Sequence, residues 1–263
     1  MSTLTYAISD STTMLRRQLK RMLRYPTLVL FIVGIPIVFL LLFVYVFGGT
    51  LGDGLGEASG GRAAYANYVT PGILLMTLAA AATGTSIAVA MDMTEGIVAR
   101  FRTMAIARVS VLTGHVLGSM IQVMLGMAVV VGVAILVGFR PDATVVEWLA
   151  AAGLLTMIAF AFTWLSVAFG LVAKTVESAS NLPQPLVFLP FLGSGFVPTD
   201  SMPTWLRWFA EYQPFTAFIE TVRGLLLGTA IGSNAIVSIA WAAGIGLVGY
   251  LWAKKLYNRD PIR

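Results

Sequence analysis

The sequence predicts an all-α integral membrane protein with six transmembrane helices. Three observations lead there. Six stretches with almost no charge are each long enough to cross about 30 Å of hydrocarbon, which takes about 20 residues. The composition is 58% hydrophobic and only 11% charged over 263 residues, with mean hydropathy +0.86, against roughly 25% charge in a soluble domain. The basic residues gather on alternate connecting segments, as the positive-inside rule requires.

Taken in order, Thr27–Phe47 carries no charge and forms the first span, and uncharged Tyr68–Met91 forms the second. Val109–Phe139 holds the third, with His115 near its start. Trp148–Ala173, the proline-rich Val176–Val197 and Asn234–Ala253 follow. Phe215–Ile231 is apolar enough to suggest a seventh, but it contains Glu220 and Arg223. Six spans put 13 of the 17 basic residues in cytoplasmic segments and leave Arg62, Arg140, Arg207 and Arg223 outside. A seventh would carry the basic tail to the wrong side. Pro198–Gly228 is therefore read as an outer excursion, partly embedded and partly helical. Pro203 and Pro214 suit the first turn of short helices there, and Gly224 and Gly228 suit stops. The glycine-rich loop Gly48–Arg62 is expected to be mobile.

The resulting organisation is a cytoplasmic amphipathic segment at 1–26, a single membrane domain at 27–253 and a cytoplasmic basic tail at 254–263. The net charge of +5 belongs beside cytoplasmic headgroups and not on nucleic acid. Cysteine is absent, which excludes disulfides and thiolate metal sites. The N-terminal apolar run begins after a basic stretch and is too long for a signal peptide, so it reads as a retained span.

Several features stand out as candidates for function. A helix after Ser9–Thr13 gathers Met14, Leu15, Gln18, Leu19, Met22 and Leu23 on one half of its wheel. Arg16, Arg17, Lys20, Arg21 and Arg24 fill the other, and Pro26 ends it. This pattern fits a helix lying flat on the inner leaflet, and it equally fits a bare topology signal. In the next cytoplasmic segment Asp92 and Glu95 have capping-box spacing. Ile97, Val98, Phe101 and Met104 then share a face flanked by Arg100 and Arg102. That is the makeup of a docking element, or of a loop helix resting on the bilayer. Glu220 and Arg223 stand three apart and can pair on a helix. Glu211 has no obvious local partner and faces water or a cationic cargo. His115 reads as a packed or headgroup-level residue beside the Gly114 and Gly118 packing pair. One histidine and no clustered carboxylates speak against a catalytic site, and no ligands stand at metal spacing. No phosphate-binding Gly-x-x-x-x-Gly-Lys-Ser/Thr occurs.

The string Glu95-Gly96-Ile97 followed by Arg100-Phe101-Arg102-Thr103 resembles the signature loop of ABC-2 (type II export) permeases of the daunorubicin/doxorubicin-resistance type. Phe43-Val44-Tyr45-Val46-Phe47-Gly48-Gly49, Tyr68-Val69-Thr70-Pro71-Gly72-Ile73 and Gly138-Phe139-Arg140-Pro141 agree in order. So do Met202-Pro203-Thr204-Trp205-Leu206, Pro214-Phe215-Thr216 and Arg223-Gly224-Leu225-Leu226. Ala105 stands where that family commonly has proline, which allows the loop helix another turn. The resemblance implies the membrane half of an ATP-driven exporter in the plasma membrane, with both termini cytoplasmic. Two permease copies, or one with a close relative, would sit above two separate ATPase subunits that hold ATP and magnesium. This chain would carry no cofactor of its own.

In that frame Asp92, Glu95, Gly96, Ile97, Arg100, Phe101, Arg102 and Thr103 form the coupling helix. Arg16, Arg17, Lys20, Arg21 and Arg24 lie on the connecting helix. Trp205, Glu211, Pro214, Glu220 and Arg223 belong to re-entrant outer helices above the path of an amphipathic drug-like or lipidic cargo. An ion-gradient-driven transporter or channel is the alternative. It is disfavoured because the span centres carry essentially no ionisable groups.

Overall fold

The computed structural model describes residues 26–55, 60–94 and 108–257, with Arg16 alone before them. Every element is helical, and no strand occurs among the described residues. Helix α1 spans Pro26–Leu42 and passes through a π-helical turn, Phe43–Phe47, into α2, Gly48–Asp53. The chain is thus helical through the first part of the stretch expected to be a mobile loop. The i→i+4 ladder slips by one residue there and continues, so the glycines extend the helix where their sequence suggested a break.

The long helices that follow are α3 (Arg62–Thr94), α4 (Arg108–Val137) and α5 (Val145–Val172). Thr144 starts α5 by a capping box with Glu147. The last long helix is α10 (Asn234–Tyr257), whose final turn carries Lys254 and Lys255. Among the described residues five helices are long and apolar enough to cross a membrane: Val33–Asp53, Arg62–Thr94, Thr113–Val137, Val145–Val172 and Asn234–Tyr257.

The expected fifth span, Val176–Val197, is not one helix. It is split into α6 (Val176–Asn181), α7 (Gln184–Phe188) and a 3₁₀ turn, Leu189–Leu192. Pro183, Pro185 and Pro190 are the cause. Each lacks an N–H to continue the ladder and crowds the preceding turn. The segment continues through Gly193 and Gly195, then a short 3₁₀ turn at Thr199–Ser201, to α8 (Thr204–Tyr212) and α9 (Pro214–Leu227). As expected, Pro214 opens α9, and Gly228 ends it with φ of 70°. Gly224, read as a stop, lies inside that helix.

α3 is the axis of the bundle. It packs against α1, α4, α5 and α9 and against every piece of the broken segment. Its buried face runs from Tyr65 to Asp92. Two cores form around it. The larger joins Val69, Ile73 and Leu74 of α3 to Ile158 and Phe162 of α5 and to Phe215, Phe218 and Ile219 of α9. The smaller lies toward the other end of α3 and joins Val89 to Val116, Trp164, Val167, Ala253 and Tyr257.

Small residues let these helices approach closely, the usual means of packing helices where lipid removes the hydrophobic drive. A Cβ on Gly249 would stand 2.6 Å from the Leu165 nitrogen, and one on Gly170 would stand 2.6 Å from the Ser86 carbonyl. At Gly72 the clash would be with the Gly195 carbonyl, again at 2.6 Å. Gly72→Ala should therefore force backbone apart and cost about 1–3 kcal/mol. Gly153→Ala is the control, because a Cβ there meets nothing within 4 Å. Thermal unfolding in detergent should fall for the first and stay unchanged for the second.

Candidate functional site

The break between α7 and α8 creates a chemical problem. Irregular backbone leaves carbonyls without helical donors, and buried carbonyls need partners. Three side chains from other elements supply them. Gln213 Nε2 donates to the Leu189 carbonyl at 2.9 Å. Arg223 Nη2 donates to the Ser194 carbonyl at 2.7 Å. The Tyr65 hydroxyl donates to the Phe196 carbonyl at 3.0 Å. Thr216 adds a weaker link by accepting from the Ser194 N–H at 3.4 Å.

Arg223 is the hub. It is 6% exposed. Nη1 donates to Glu220 on the same face of α9, the pair expected from their spacing. Nη2 also reaches the Tyr68 carbonyl of α3 at 3.0 Å, and the guanidinium lies 3.9 Å over the Tyr68 ring. One planar fork thus joins α9, α3 and the broken segment, a task suited to arginine and not to lysine. Around it Phe43 of the π turn contacts Tyr65, Phe191 and Phe196, and the last two rings stack 4.3 Å apart. Ser194 Oγ, Gln213 Oε1 and Arg223 Nε are buried with no partner among the described residues.

The other expected outer residues lie on either side of this hub. Trp205 is 74% exposed on α8, in a stripe with Trp208 and Tyr212, while Ala210 on the same helix is buried. Glu211 does have a local partner. Arg207 Nε donates to it at 2.7 Å, and Arg207 also meets Asp200 at 2.7 Å. The i,i+4 spacing of Arg207 and Glu211 was a signal available in the sequence. The Glu211 bond, aided by Asp200, raises the Arg207 pKa. Tyr65, Ser194, Gln213 and Thr216 had no sequence signal beyond the prolines and glycines that forecast needy carbonyls.

At the opposite end of α3, Asp92 lies within that helix, which continues to Thr94, and it is buried. His115 of α4 is buried beside it, with Nε2 at 3.1 Å from Asp92 Oδ2. The other expected coupling residues, Glu95, Gly96, Ile97, Arg100, Phe101, Arg102 and Thr103, lie outside the described residues. So do Arg17, Lys20, Arg21 and Arg24, while Arg16 is helical and exposed.

Long apolar helices around a broken, side-chain-stitched segment fit a polytopic membrane protein. The description of the ABC-2 type transporter family matches residues 10–227, and the chain belongs to that family. It is 28% identical over 253 residues to the daunorubicin resistance ABC transporter permease protein DrrB1 of Streptomyces coeruleorubidus, covering 96% of this chain and 87% of that one. It is 29% identical over 181 residues to the probable doxorubicin resistance ABC transporter permease protein DrrC of Mycobacterium tuberculosis, covering 66% of this chain and 64% of that one. The protein is therefore an ABC-2 permease, a multi-pass membrane subunit homologous to drug-resistance permeases.

Replacing Arg223 by Met would leave Glu220 and the Tyr68 and Ser194 carbonyls without their donor. We expect a loss on the order of 3 kcal/mol, read as a lower unfolding temperature of the purified permease. Arg223→Lys should recover less than half of it, since one ammonium cannot span the same three acceptors.

Proposed function

We propose that this chain is the permease of an ATP-driven exporter that moves amphipathic, drug-like molecules out of the cell. The family match over residues 10–227 carries the reading. The relatives' names point to daunorubicin and doxorubicin resistance, which supports a planar, amphipathic cargo over a lipidic one. Separate ATPase subunits supply the energy, two of them serving a pair of permeases. Their movement enters through the segment from Asp92 to Met104, with Ile97 and Phe101 seated in the ATPase and Glu95 and Arg100 meeting charged partners.

The chain crosses the membrane six times in this reading, with both termini cytoplasmic. The broken segment makes the fifth crossing. Its lower approach follows Gly170, close to Ser86 and Val89 on α3. Its upper end has Gly195 against Gly72 and Phe196 bonded to Tyr65 near the start of α3. That course along α3 supports a full traverse. α8 then lies in the outer interface, where the exposed rings of Trp205, Trp208 and Tyr212 find the mixed polar and apolar surroundings they favour. α9 dips back beside α3 and α5.

The chain lacks cysteine, so single cysteines test topology cleanly. Introduced at Ser2, Ser59, Ser201 and Asn258 and probed on intact cells, only those at Ser59 and Ser201 should label. Labelling at Asn258 would remove the six-crossing arrangement. For coupling, Phe101→Ala removes a large apolar anchor, and such a loss is worth ~2 kcal/mol, or about thirtyfold in affinity. The variant should insert normally while the ATPase co-purifies poorly and transport collapses. Arg140→Ala on the outer side is the control and should leave ATPase association unchanged. Full association and transport with Phe101→Ala would refute the docking role.

A further inference from the structure

Asp92 and His115 do more than satisfy each other. Asp92 stands two residues before the end of α3, and His115 stands two turns into α4. Everything between Thr94 and Arg108 hangs from these two helices. The contact between the residues is thus the polar link across the root of the segment 95–107. Both are almost fully enclosed, at 2% and 4% exposure. His115 Nε2 and Asp92 Oδ2 stand 3.1 Å apart, within hydrogen-bond distance. A hydrogen bond in a site with little water is stronger and more directional than apolar contact.

The pair is also joined to a rigid block. Val116, next to His115, packs in the smaller core with Val89 of α3, Trp164 and Val167 of α5, and Ala253 and Tyr257 of α10. In that block Gly170 abuts Ser86 and Val89, and Gly249 abuts Leu165, both at backbone distance. Helices packed this closely do not slide independently. A displacement delivered to either end of the segment 95–107 reaches α3 and α4 together while the pair holds. It reaches α5 and α10 through the close glycine contacts.

We propose that Asp92 and His115 are positioning residues for energy coupling: their bond clasps the two roots of the coupling segment and makes α3 and α4 respond to the ATPase as one body. This rests on the reading of 95–107 as the ATPase-docking segment. The clasp presets the segment's position, so less ordering is needed when the ATPase binds.

The test uses the full permease with its ATPase in lipid nanodiscs. Spin labels on cysteines introduced at Thr103 and Lys255 report the distance from the segment to α10. The native pair should give one narrow distribution that shifts as a whole when a non-hydrolysable ATP analogue is added. Asp92→Ala and His115→Ala should each broaden it and weaken ATPase co-purification by about tenfold, which is 1.4 kcal/mol. The double variant should lose less than the sum of the two single ones, because both remove the bond they share. Asp92→Asn should restore the narrow distribution, since its amide can still bond the ring nitrogen. Unchanged distributions in both alanine variants, or fully additive effects with no coupling in the double variant, would overturn the clasp. Phe101→Ala separates this from the underlying reading. If it leaves ATPase association intact while the alanine variants still broaden the distribution, docking through 95–107 fails and the clasp stands. If it abolishes association while the alanine variants change nothing, the clasp fails and docking stands.

Discussion

The architecture depends on donors for carbonyls that cannot be bonded within a helix. In an apolar medium an unpaired backbone group costs several kcal/mol, so irregular backbone survives only where other parts of the protein bond to it. Pro183, Pro185 and Pro190 preclude a continuous helix over 176–197, and the carbonyls of Leu189, Ser194 and Phe196 are the consequence. Gln213, Arg223 and Tyr65 answer them one by one. The position of α9 against α3 follows, since Arg223 reaches the Tyr68 carbonyl only if the two helices lie side by side. The close approach of Gly72 and Gly195 belongs to the same arrangement, because a side chain at either would push the broken segment out of range.

This arrangement differs in kind from the packing of the five long helices. Those are held by shape: small residues at crossings, large apolar residues between them, and lipid around them. Their backbone hydrogen bonds are internal, and few side-chain bonds, such as that of His115 with Asp92, cross between them. The broken segment and α9 are held by polar bonds between elements, and movement there exchanges specific partners. A transporter needs both. Rigid helices carry displacement, and a region with discrete polar contacts gives distinct arrangements at the end of the path. The two polar centres lie at opposite ends of α3, Arg223 beside its first turns and Asp92 in its last. The most enclosed of the five long described helices therefore connects them.

The charged residues follow the same economy. Glu220 pairs with buried Arg223, while Asp200 of the preceding turn forms an exposed network with Arg207 and Glu211 of α8. Exposed pairs of that kind add little stability. Their effect is to keep the polar side of α8 in water while Trp205, Trp208 and Tyr212 turn elsewhere.

Much of this was legible in the chain itself. Apolar length located the five continuous helices, because crossing length and helical rise set a minimum that few soluble segments meet. Proline and glycine chemistry placed the start of α9 at Pro214 and its end at Gly228, and three-residue spacing paired Glu220 with Arg223. These are rules that act within a turn or two of helix. They overreached where a local preference met the packed bundle: Gly48 and Gly49 continued a helix, and Gly224 sat inside one. The contacts that only the tertiary structure decided are distant in sequence. His115 meets Asp92 across 23 residues, and Arg223 reaches Ser194 across 29 and Tyr68 across 155. Sequence states which groups need partners, because burial and broken helix follow from residue type. Which partner arrives depends on how helices pack, and that is set by the summed shape of many apolar side chains that no local spacing encodes.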